Sequence, residues 1–428
     1  MCNAKSNVIK IVMTSDKNYI LQSKVTLWSV LMASSDDYIY EVNVLCSALL
    51  EQNARNKLID IEKKFNNVKV NFVEIGEELF SEAKVTSFYT LASYYRLIIT
   101  EVIEGDKCLF LDGDMIVNTD ISKLYNIDIE DNLLAAVLDS GVQDNLDWFE
   151  EHRKKIDVPS MENYVNAGVM IWNLKKLREI NIHKEFMKHI HKGYPYMDND
   201  ILNKCCYSKI YLLEHKYNLF SEFLNKPENI RDGNKYRNKL TQINENDAII
   251  HYAGWIKPWN ILRSNGADLW WQVAKKSLKS DDYLMLKKNA EDFARNTDWL
   301  EIVKYAKKNS SVIIFGYSQI GKDVCTALEN NGVISICGFC DNDKAKHMHQ
   351  YGKYKVNSVE YFMNLYPDSL WLVTSQNYHR QIIQQLKDVG VSDERIMRYI
   401  NKDFYYFRLL DDKYIEHEKK ELESFNRS

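Results

Sequence analysis

The sequence lacks the features that define several classes of protein. It contains no internal repeat and no low-complexity tract, and no apolar stretch reaches the length that spans a membrane. No charged-then-apolar signal peptide opens the chain. The eight cysteines follow no spacing that is typical of disulfides or of a zinc site. We therefore expect a soluble, cytoplasmic protein whose thiols are reduced.

The chain also lacks an excess of charge of either sign. It has 56 Lys and Arg against 60 Asp and Glu, a formal net charge of −4. Without a strongly basic field, nucleic acid is not expected as the main partner. The five prolines, together with frequent Asn, Lys, Ile and Tyr, are typical of an AT-rich bacterial coding bias. At 428 residues the chain is too long for one core, so two or more domains are expected.

Two aspartates, separated by one glycine, directly follow the apolar run 108–111. Residues i and i+2 of a strand point to the same face, so Asp112 and Asp114 are predicted to bind one hard divalent ion. Gly113 keeps the backbone between them small enough for a ligand to approach. Alone, such a pair also fits an ordinary turn.

A histidine ends a second apolar run, residues 248–250. The neutral imidazole of His251 can supply a third metal ligand, and Lys257 can meet a phosphate as a point charge. Gly254 permits a close approach of the backbone. Carboxylates with one imidazole suit Mn²⁺ or Mg²⁺ better than a closed zinc site. A lone histidine is more often structural, but next to the lysine and the paired aspartates it favours a metal and phosphate site.

Four sequence blocks, in this order, resemble glycosyltransferase family 8, the retaining transferases that use a nucleotide sugar and a metal. They cover residues 9–19, 111–114, 166–174 with 198–203, and 251–259. The resemblance spans roughly the first 265 residues. It implies an α/β fold of the GT-A type with a mostly parallel central sheet. Asn199 stands where the family often has glutamine, a longer amide, which weakens the expected contact with the donor sugar.

The resemblance also implies roles for individual residues. It implies a UDP-sugar donor, with uridine at Asp16 and Asn18. It places Arg96 near the donor sugar and its phosphates, and Asn166 close to the transferred sugar. The sugar hydroxyls would meet two further polar side chains, those of Asp198 and Asn199.

Each of these assignments has a structural alternative. Asp16 and Asn18 also fit the cap of a helix predicted over 19–33. Arg96 could be a surface residue of a helix predicted over 91–100. Residues 198–200 could cap a helix that starts at Ile201.

The pattern after the family blocks predicts three further segments. We assign residues 1–265 to the catalytic domain, 266–309 to a helical bridge, 310–400 to a small Rossmann-like α/β domain and 401–428 to a tail. The lysine-rich bridge could touch the inner face of a membrane, but a packed bridge is favoured. In the small domain a strand, a glycine turn and a helix are followed by a strand ending at Asp341, but Ser318 replaces the middle glycine of the dinucleotide fingerprint. We favour a structural or protein-interaction module over a nucleotide site.

The predicted reaction is a metal-dependent, retaining transfer of glucose or galactose from a UDP-sugar. The acceptor would be a glycan, glycolipid or glycoprotein in bacterial lipopolysaccharide, capsule or adhesin synthesis. Same-face attack is favoured over a covalent intermediate. A nucleotidyltransferase would need a glycine- and arginine-rich loop near the first strand, which residues 13–19 lack. A binding protein with a degenerate site is disfavoured because all the expected ligands are present.

Overall fold

The structure is a computed structural model that describes residues 7–85, 90–224, 235–254, 257–260, 264–297, 299–375 and 378–399. The chain divides into two compact units, one within residues 1–258 and 263–285 and the other within 259–262 and 286–428. Among the described helices, none is both long and apolar enough to cross a membrane. The domain bounds given above stay predictions, and the predicted tail lies outside the described residues.

The strands of the first unit are β1 (Val8–Thr14), β2 (Ile39–Ser47), β3 (Val68–Ile75), β4 (Lys107–Leu111), β5 (Met115–Val117), β6 (Leu134–Leu138), β7 (Val165–Asn173), β8 (Ile210–Leu212), β9 (Leu219–Phe220) and β10 (Ile249–His251). Seven of them form one sheet in the order β3-β2-β1-β4-β7-β6-β8. Strands β3, β2, β1 and β4 are parallel, as are β6 and β8, whereas β7 is antiparallel to both of its neighbours. The predicted mostly parallel central sheet is therefore confirmed.

The helices of the first unit connect these strands. They are α1 (Ile20–Ala33), α2 (Gln52–Ile59), α3 (Ile99–Val102), α4 (Ile121–Tyr125), α5 (Ser140–Gln143), α6 (Glu150–Ile156), α7 (Leu174–Glu179), α8 (Ile182–Met187), α9 (Met197–Cys205), α10 (Lys235–Leu240) and α11 (Ala267–Ser277). Short 3₁₀ helices include Leu91–Ile98 and His215–Asn218.

Two predicted helices differ from those observed. The helix predicted over 91–100 is a 3₁₀ helix followed by the short α3, and the last five residues of that 3₁₀ helix are all buried. The helix predicted from Ile201 begins at Met197. The helix includes residues before Ile201 because Asp200 Oδ2 accepts the backbone N–H of Tyr196 at 2.8 Å. This bond from a backbone N–H to a side chain lies ahead of the apolar residues from which the helix was predicted.

The strand order gathers polar residues at one edge of the large sheet. Strands β1, β4 and β6 end there, which places Asp16, Asp112 and Asp139 just beyond their carboxyl ends. Because β7 runs in the opposite direction, its amino end, with Asn166, meets the same edge. The backbone N–H of Asp112 donates to the carbonyl of Gly168 at 2.9 Å, which ties the two chain segments together.

Beyond β4 the chain passes into a second, three-stranded sheet in the order β5-β10-β9. A row of buried hydroxyls on α1 holds this segment. Thr26 Oγ1 accepts the N–H of Met115 at 2.9 Å, and Ser29 Oγ accepts the N–H of Val117 at 2.9 Å. One turn earlier on the same face, Ser23 packs against Gly113. Helix α1 therefore fixes the position of the segment that carries the paired aspartates.

The second unit is a separate α/β fold, as predicted. Its strands are β11 (Val312–Phe315), β12 (Ile336–Cys340), β13 (Gln350–Tyr351), β14 (Tyr354–Asn357), β15 (Leu370–Val373) and β16 (Ile396–Arg398). The remaining helices of the chain are α12 (Ser280–Thr297), α13 (Trp299–Lys308), α14 (Gln319–Asn330), α15 (Val359–Leu365) and α16 (His379–Asp388). The sheet has the order β13-β14-β12-β11-β15-β16 and is parallel except for the edge strand β13. Alternate residues of β11 enter two apolar cores, one containing α13 and α14 and the other α15 and α16, so helices cover both faces.

The glycine turn of the second unit is held by Asp341. Gly316 adopts a φ of 123°, which a side chain would strain. Ser318 caps α14, its Oγ accepting the N–H of Gly321 at 3.3 Å. Asp341 Oδ2 accepts the N–H of Tyr317 at 2.9 Å and lies 3.1 Å from the ammonium of Lys346. Asp341, the acid that a dinucleotide site would use, is thus hydrogen-bonded to residues of its own unit.

The contact between Gly113 and α1 predicts the effect of a small substitution. A Cβ added at Gly113 would lie 2.6 Å from Ser23 Oγ but 3.5 Å from the Cα and Cβ of Ser23. We expect Gly113→Ala to lower the free energy of unfolding by about 1–3 kcal/mol, because the added methyl overpacks a buried contact. Urea unfolding of the purified protein measures this loss.

Ser23→Ala removes the clashing oxygen and supplies the control. Alone it should cost about 1 kcal/mol, since the hydrogen bond from Ser23 Oγ to Ser15 Oγ (3.1 Å) is lost. In the double variant the two losses should not add, because the methyl then meets only carbon atoms at ordinary distances. If the stability losses of the two single variants add exactly, the contact with Ser23 Oγ is not the reason why glycine is needed at position 113.

Candidate active site

The three predicted metal ligands converge between the two sheets of the first unit. Nε2 of His251 lies 3.2 Å from Asp114 Oδ1 and 3.8 Å from Asp112 Oδ2. One ligand atom from each residue lies within 4.8 Å of the others. The predicted reason for the convergence was wrong, however. Residues 112–114 form the link from β4 to β5 rather than part of a strand, so the change of sheet, not strand periodicity, aims both carboxylates at the histidine.

The imidazole of His251 is buried and held from behind. Its Nδ1 lies 2.9 Å from Oδ1 of Asn218, and the ring packs edge-on against Phe220. Gly168 makes room for the ring, since an added Cβ there would lie 2.8 Å from His251 Nδ1. The small residue at this position of β7 thus accommodates the histidine. Sequence reasoning missed Asn218, because a single asparagine before a short strand carries no pattern.

The residues of this group fit a divalent cation. Oδ1 of Asp114 is buried and has no hydrogen-bond partner within the part of the chain that the structure describes. Two carboxylates and one imidazole, directed at one point, offer the oxygen and nitrogen ligands that Mn²⁺ or Mg²⁺ accepts. Gathering such acceptors in a buried place costs free energy unless positive charge offsets it.

Lys257 supplies part of that positive charge. Its ammonium contacts Asp114 Oδ2 and donates to the carbonyl of Tyr252 at 2.6 Å. Burial works to lower the pKa of Lys257, but Asp114, with Tyr19 and Asp112, outweighs it and the pKa is raised. Burial likewise works to raise the pKa of Asp114, but Lys257 and His251 outweigh it and the pKa is lowered. The structure therefore directs this lysine at a metal ligand, and its predicted contact with phosphate stays a prediction.

Arg96 connects the metal group to the predicted sugar site. It is buried, so the alternative of a surface arginine is wrong. Its Nη2 donates to Asp112 Oδ1 at 2.8 Å, its Nη1 donates to the carbonyl of Ala167 at 2.7 Å, and its Nε lies 3.0 Å from Asp198 Oδ2. The guanidinium also stacks 4.3 Å from the ring centroid of Phe110. Burial works to lower the pKa of Arg96, but the two carboxylates outweigh it and the pKa is raised.

The predicted sugar residues Asp198 and Asn199 both lie in the first turn of α9. Burial raises the pKa of the Asp198 carboxyl to about 6, although Arg96 acts in the opposite direction. The amide of Asn199 holds the amino end of β7. Its Oδ1 accepts the N–H of Ala167 at 2.6 Å, and its Nδ2 lies 3.2 Å from the carbonyl of Val165.

Asn166 lies at the same edge and has a partner that sequence reasoning missed. Its Oδ1 accepts the N–H of Gly168 at 2.9 Å, and its Nδ2 donates to Asp139 Oδ2 at 3.1 Å. Burial raises the pKa of Asp139, although the hydrogen bond from Asn166 acts against it. The signal was available, because Asp139 follows the apolar strand β6 just as Asp112 follows β4.

The residues predicted to hold uridine lie after β1. Asp16 Oδ1 accepts the N–H of Asn18 at 2.8 Å and of Tyr19 at 3.1 Å, so it fixes the turn that leads into α1. Asn18 is exposed. Burial raises the pKa of the Tyr19 phenol to about 12, with Lys257 acting in the opposite direction, so this hydroxyl stays protonated and lies in the field of the metal group.

Gly254 follows β10 with a φ of 73°, a conformation that favours glycine. A Cβ added there would meet no atom of the described residues within 4 Å. The backbone conformation, rather than a close contact with those residues, therefore favours glycine here.

Comparison with known proteins identifies the family. The sequence model of "Glycosyl transferase family 8" matches residues 10–262, which is more than half of the chain. The chain belongs to glycosyl transferase family 8. It is a glycosyltransferase, and the match contains all the residues of the site. A second model, described as "C2185-like, N-terminal", matches residues 308–397.

Named relatives and a solved structure agree with this assignment. General stress protein A of Bacillus subtilis is 28% identical over 267 residues, covering 60% of this chain and 89% of that protein. A lipopolysaccharide 1,3-galactosyltransferase of Salmonella typhimurium is 25% identical over 256 residues, covering 57% of this chain and 71% of that protein. The crystal structure of the galactosyltransferase LgtC with donor and acceptor sugar analogs is 25% identical with a TM-score of 0.53, covering 65% of this chain and 100% of that chain. The predicted GT-A-type fold is confirmed.

The raised pKa of Asp198 predicts how stability depends on pH. Its folded pKa of about 6 lies above the ordinary 3.8. Its contribution to stability is therefore complete below the ordinary pKa and is lost as the pH rises through the folded pKa. Asp198→Asn removes this titration, so the stability of the variant relative to the wild type should rise by up to about 3 kcal/mol between about pH 4 and 8. Urea unfolding across this range, in chelator, measures the difference.

Asp247 offers a control of opposite sign. Its pKa is lowered by the hydrogen bond from Thr119 and then by Lys216. The stability it contributes is present above its ordinary pKa and is lost as the pH falls. Asp247→Asn should therefore become less stable relative to the wild type as the pH rises. A difference between Asp198→Asn and the wild type that stays constant with pH would contradict the prediction for Asp198.

Proposed function

We propose that the protein is a metal-dependent, retaining hexosyltransferase that uses a UDP-sugar. The observation that carries the proposal is the convergence of Asp112, Asp114 and His251 on one point, with Arg96 linking them to Asp198. Such a group beside a row of sugar-binding polar side chains suits the departure of a diphosphate from a sugar. The family supports a nucleotide-sugar donor in general, and UDP is the finer assignment proposed here.

Each residue has a proposed task in binding the donor. Asp16 and Asn18 hold the uridine beyond β1. Asp112, Asp114 and His251 hold Mn²⁺ or Mg²⁺, which when bound offsets the charge that develops on the leaving diphosphate. Lys257 adds positive charge on the same side.

The sugar is oriented by a second group of residues. Asn166 and Asp198 offer an amide and a carboxylate to its hydroxyls. Arg96 contacts Asp112, Asp198 and a backbone carbonyl, so we assign it the positioning of these two acids rather than direct contact with phosphate. Asn199 holds the backbone of β7 and thereby the position of Asn166.

Retention is proposed to occur by attack on the same face. The bond from the anomeric carbon to the diphosphate oxygen breaks, and a bond to the acceptor oxygen forms on that face. The acceptor proton passes to the leaving diphosphate oxygen. A covalent route would need a free carboxylate as the nucleophile, whereas Oδ2 of Asp198 is paired with Arg96 at 3.0 Å.

The acceptor is proposed to be a glycan, glycolipid or glycoprotein of a bacterial surface polysaccharide or adhesin. Support comes from a relative named as a lipopolysaccharide 1,3-galactosyltransferase and from another named as a lipopolysaccharide 1,2-glucosyltransferase. These names also support galactose or glucose as the transferred sugar.

The second unit is proposed to be a structural or protein-interaction module with a Rossmann-like order of strands. In a dinucleotide site the carboxylate of Asp341 would bind a ribose. Here it accepts the backbone N–H groups of Tyr317 and Asp343 and the ammonium of Lys346.

Thermal unfolding tests the donor and the metal together. UDP, UDP-glucose, UDP-galactose and UDP-N-acetylglucosamine are each added with and without Mn²⁺. A ligand that binds only the folded state raises the melting temperature according to its affinity and concentration. We expect a shift that requires Mn²⁺, is largest for UDP-glucose or UDP-galactose and is lost in Asp112→Asn.

Two results would count against the proposal. The absence of a shift with every uridine nucleotide would refute the assigned donor. An equal shift in Asp112→Asn would refute the assigned metal site. Hydrolysis of the same UDP-sugars, assayed in parallel, shows whether the bound donor is also cleaved.

The same-face route predicts a limited effect for a change at Asp198. Asp198→Asn keeps the shape of the side chain but removes its charge, so turnover should fall by roughly 10²–10³-fold without disappearing. The affinity for UDP should change little. Complete loss of turnover with normal UDP affinity would instead indicate a covalent role, which trapping of a glycosyl–enzyme adduct by mass spectrometry would reveal.

A further inference from the structure

Asn218 lies behind His251, on the side of the imidazole away from the two aspartates. Its side chain is fully buried. It ends the 3₁₀ helix His215–Asn218 and directly precedes β9, which pairs in parallel with β10 so that Phe220 lies opposite His251. The pairing of two short strands thus brings an amide to a predicted metal ligand from a segment 33 residues away in the chain.

A chain of hydrogen bonds determines how each amide is oriented. The backbone N–H of Gly168 can only donate, so the atom of Asn166 that lies 2.9 Å away is the acceptor Oδ1. The Nδ2 of Asn166 accordingly faces the carboxylate of Asp139 at 3.1 Å. The other partner of Asn166 Oδ1, at 2.9 Å, must also be a donor, and this is Nδ2 of Asn218.

This orientation decides what Asn218 presents to the histidine. With its nitrogen directed at Asn166, Asn218 offers only Oδ1 to Nδ1 of His251, at 2.9 Å. An amide oxygen can only accept, so Nδ1 carries a hydrogen. Nε2 is then the nitrogen directed at Asp114 and Asp112, at 3.2 and 3.8 Å. A polar group that holds the far nitrogen of a histidine in this way fixes its ring and strengthens it as a ligand.

We propose that Asn218 is a positioning residue that aims Nε2 of His251 at the metal position and ties it to Asn166 at the sugar edge. The inference rests on the proposed function, because it assigns the support of that same site. Asn218 itself touches neither donor nor metal. It acts through His251 on one side and through Asn166 on the other.

The test measures Mn²⁺ alone, without nucleotide, on the full chain. Asn218→Leu and Asn218→Ala remove the amide, and the affinity for Mn²⁺ is titrated from the electron paramagnetic resonance signal of the free ion. We expect a loss of about 10–100-fold relative to the wild type, the usual effect of removing the partner of a histidine ligand. Pulsed spectra of bound Mn²⁺ should also show weaker coupling to the imidazole ¹⁴N.

Asn218→Asp separates the two contacts of the amide. A carboxylate still accepts from Nδ1 of His251 but cannot donate to Asn166. Its Mn²⁺ affinity should stay within about threefold of the wild type because the acceptor that orients the ring is kept. The KM for the UDP-sugar should rise, because Asn166 has lost a donor. If neither Asn218→Leu nor Asn218→Ala folds, Asn218→Asp still tests the proposal. A large loss of Mn²⁺ affinity in Asn218→Asp would overturn it.

A buried amide away from the site supplies the matched control. Asn43 in β2 is 7% exposed and bonds Glu41 and Asn71 through its side chain. Asn43→Leu should bind Mn²⁺ like the wild type, and an equal loss there would attribute the effect to general destabilisation and overturn the proposal.

The remaining outcomes separate this inference from the proposed function. Unchanged affinity and unchanged ¹⁴N coupling in folded Asn218→Leu, with normal binding by the wild type, would overturn the role of Asn218 alone. A wild type that binds no Mn²⁺ would overturn both the role of Asn218 and the metal site.

Discussion

The buried guanidinium of Arg96 is the contact on which the site depends. Two carboxylates, that of the partly exposed Asp112 and that of the buried Asp198, contact the same guanidinium, and their negative charges repel each other. Arg96 lies between them and contacts both, while its plane rests on Phe110. A lysine could not replace Arg96, because the planar guanidinium directs its N–H groups at three acceptors at once, those of Asp112, Asp198 and Ala167. Lys257 contacts the remaining acid, Asp114. Two cations therefore face three carboxylates, which leaves an excess of negative charge that suits a bound cation.

The direction of β7 determines which residues reach the ligand edge. The other strands of the large sheet bring the residues that follow them, such as Asp112 and Asp139. Strand β7 runs the other way and brings its first residues, among them Asn166 and Gly168. Nothing in the apolar pattern of a strand records its direction. The prediction that Asn166 lies close to the sugar therefore came from the family resemblance and not from the pattern of the strand.

The sequence predicted those parts of the site that a short stretch of the chain is enough to recognise. Paired aspartates after an apolar run and a histidine after another are visible in the chain, and they converge as expected. The parts that were missed depend on pairing between distant segments. Asn218 reaches His251 only because β9 pairs with β10, and Asn199 is committed to β7 only because α9 begins at Met197. The position of Asp112 and Asp114 between two sheets is likewise a property of the fold.

Helix α1 has a consequence for the kind of leaving group that the site can accept. Its first turn follows Asp16, and its buried hydroxyls bond the backbone of Met115 and Val117, next to the paired aspartates. The two ends of the proposed donor site are therefore both fixed to one helix. A nucleotide sugar bound at both ends, as proposed, has to span the distance that α1 sets between them, and this limits the length of its phosphate chain.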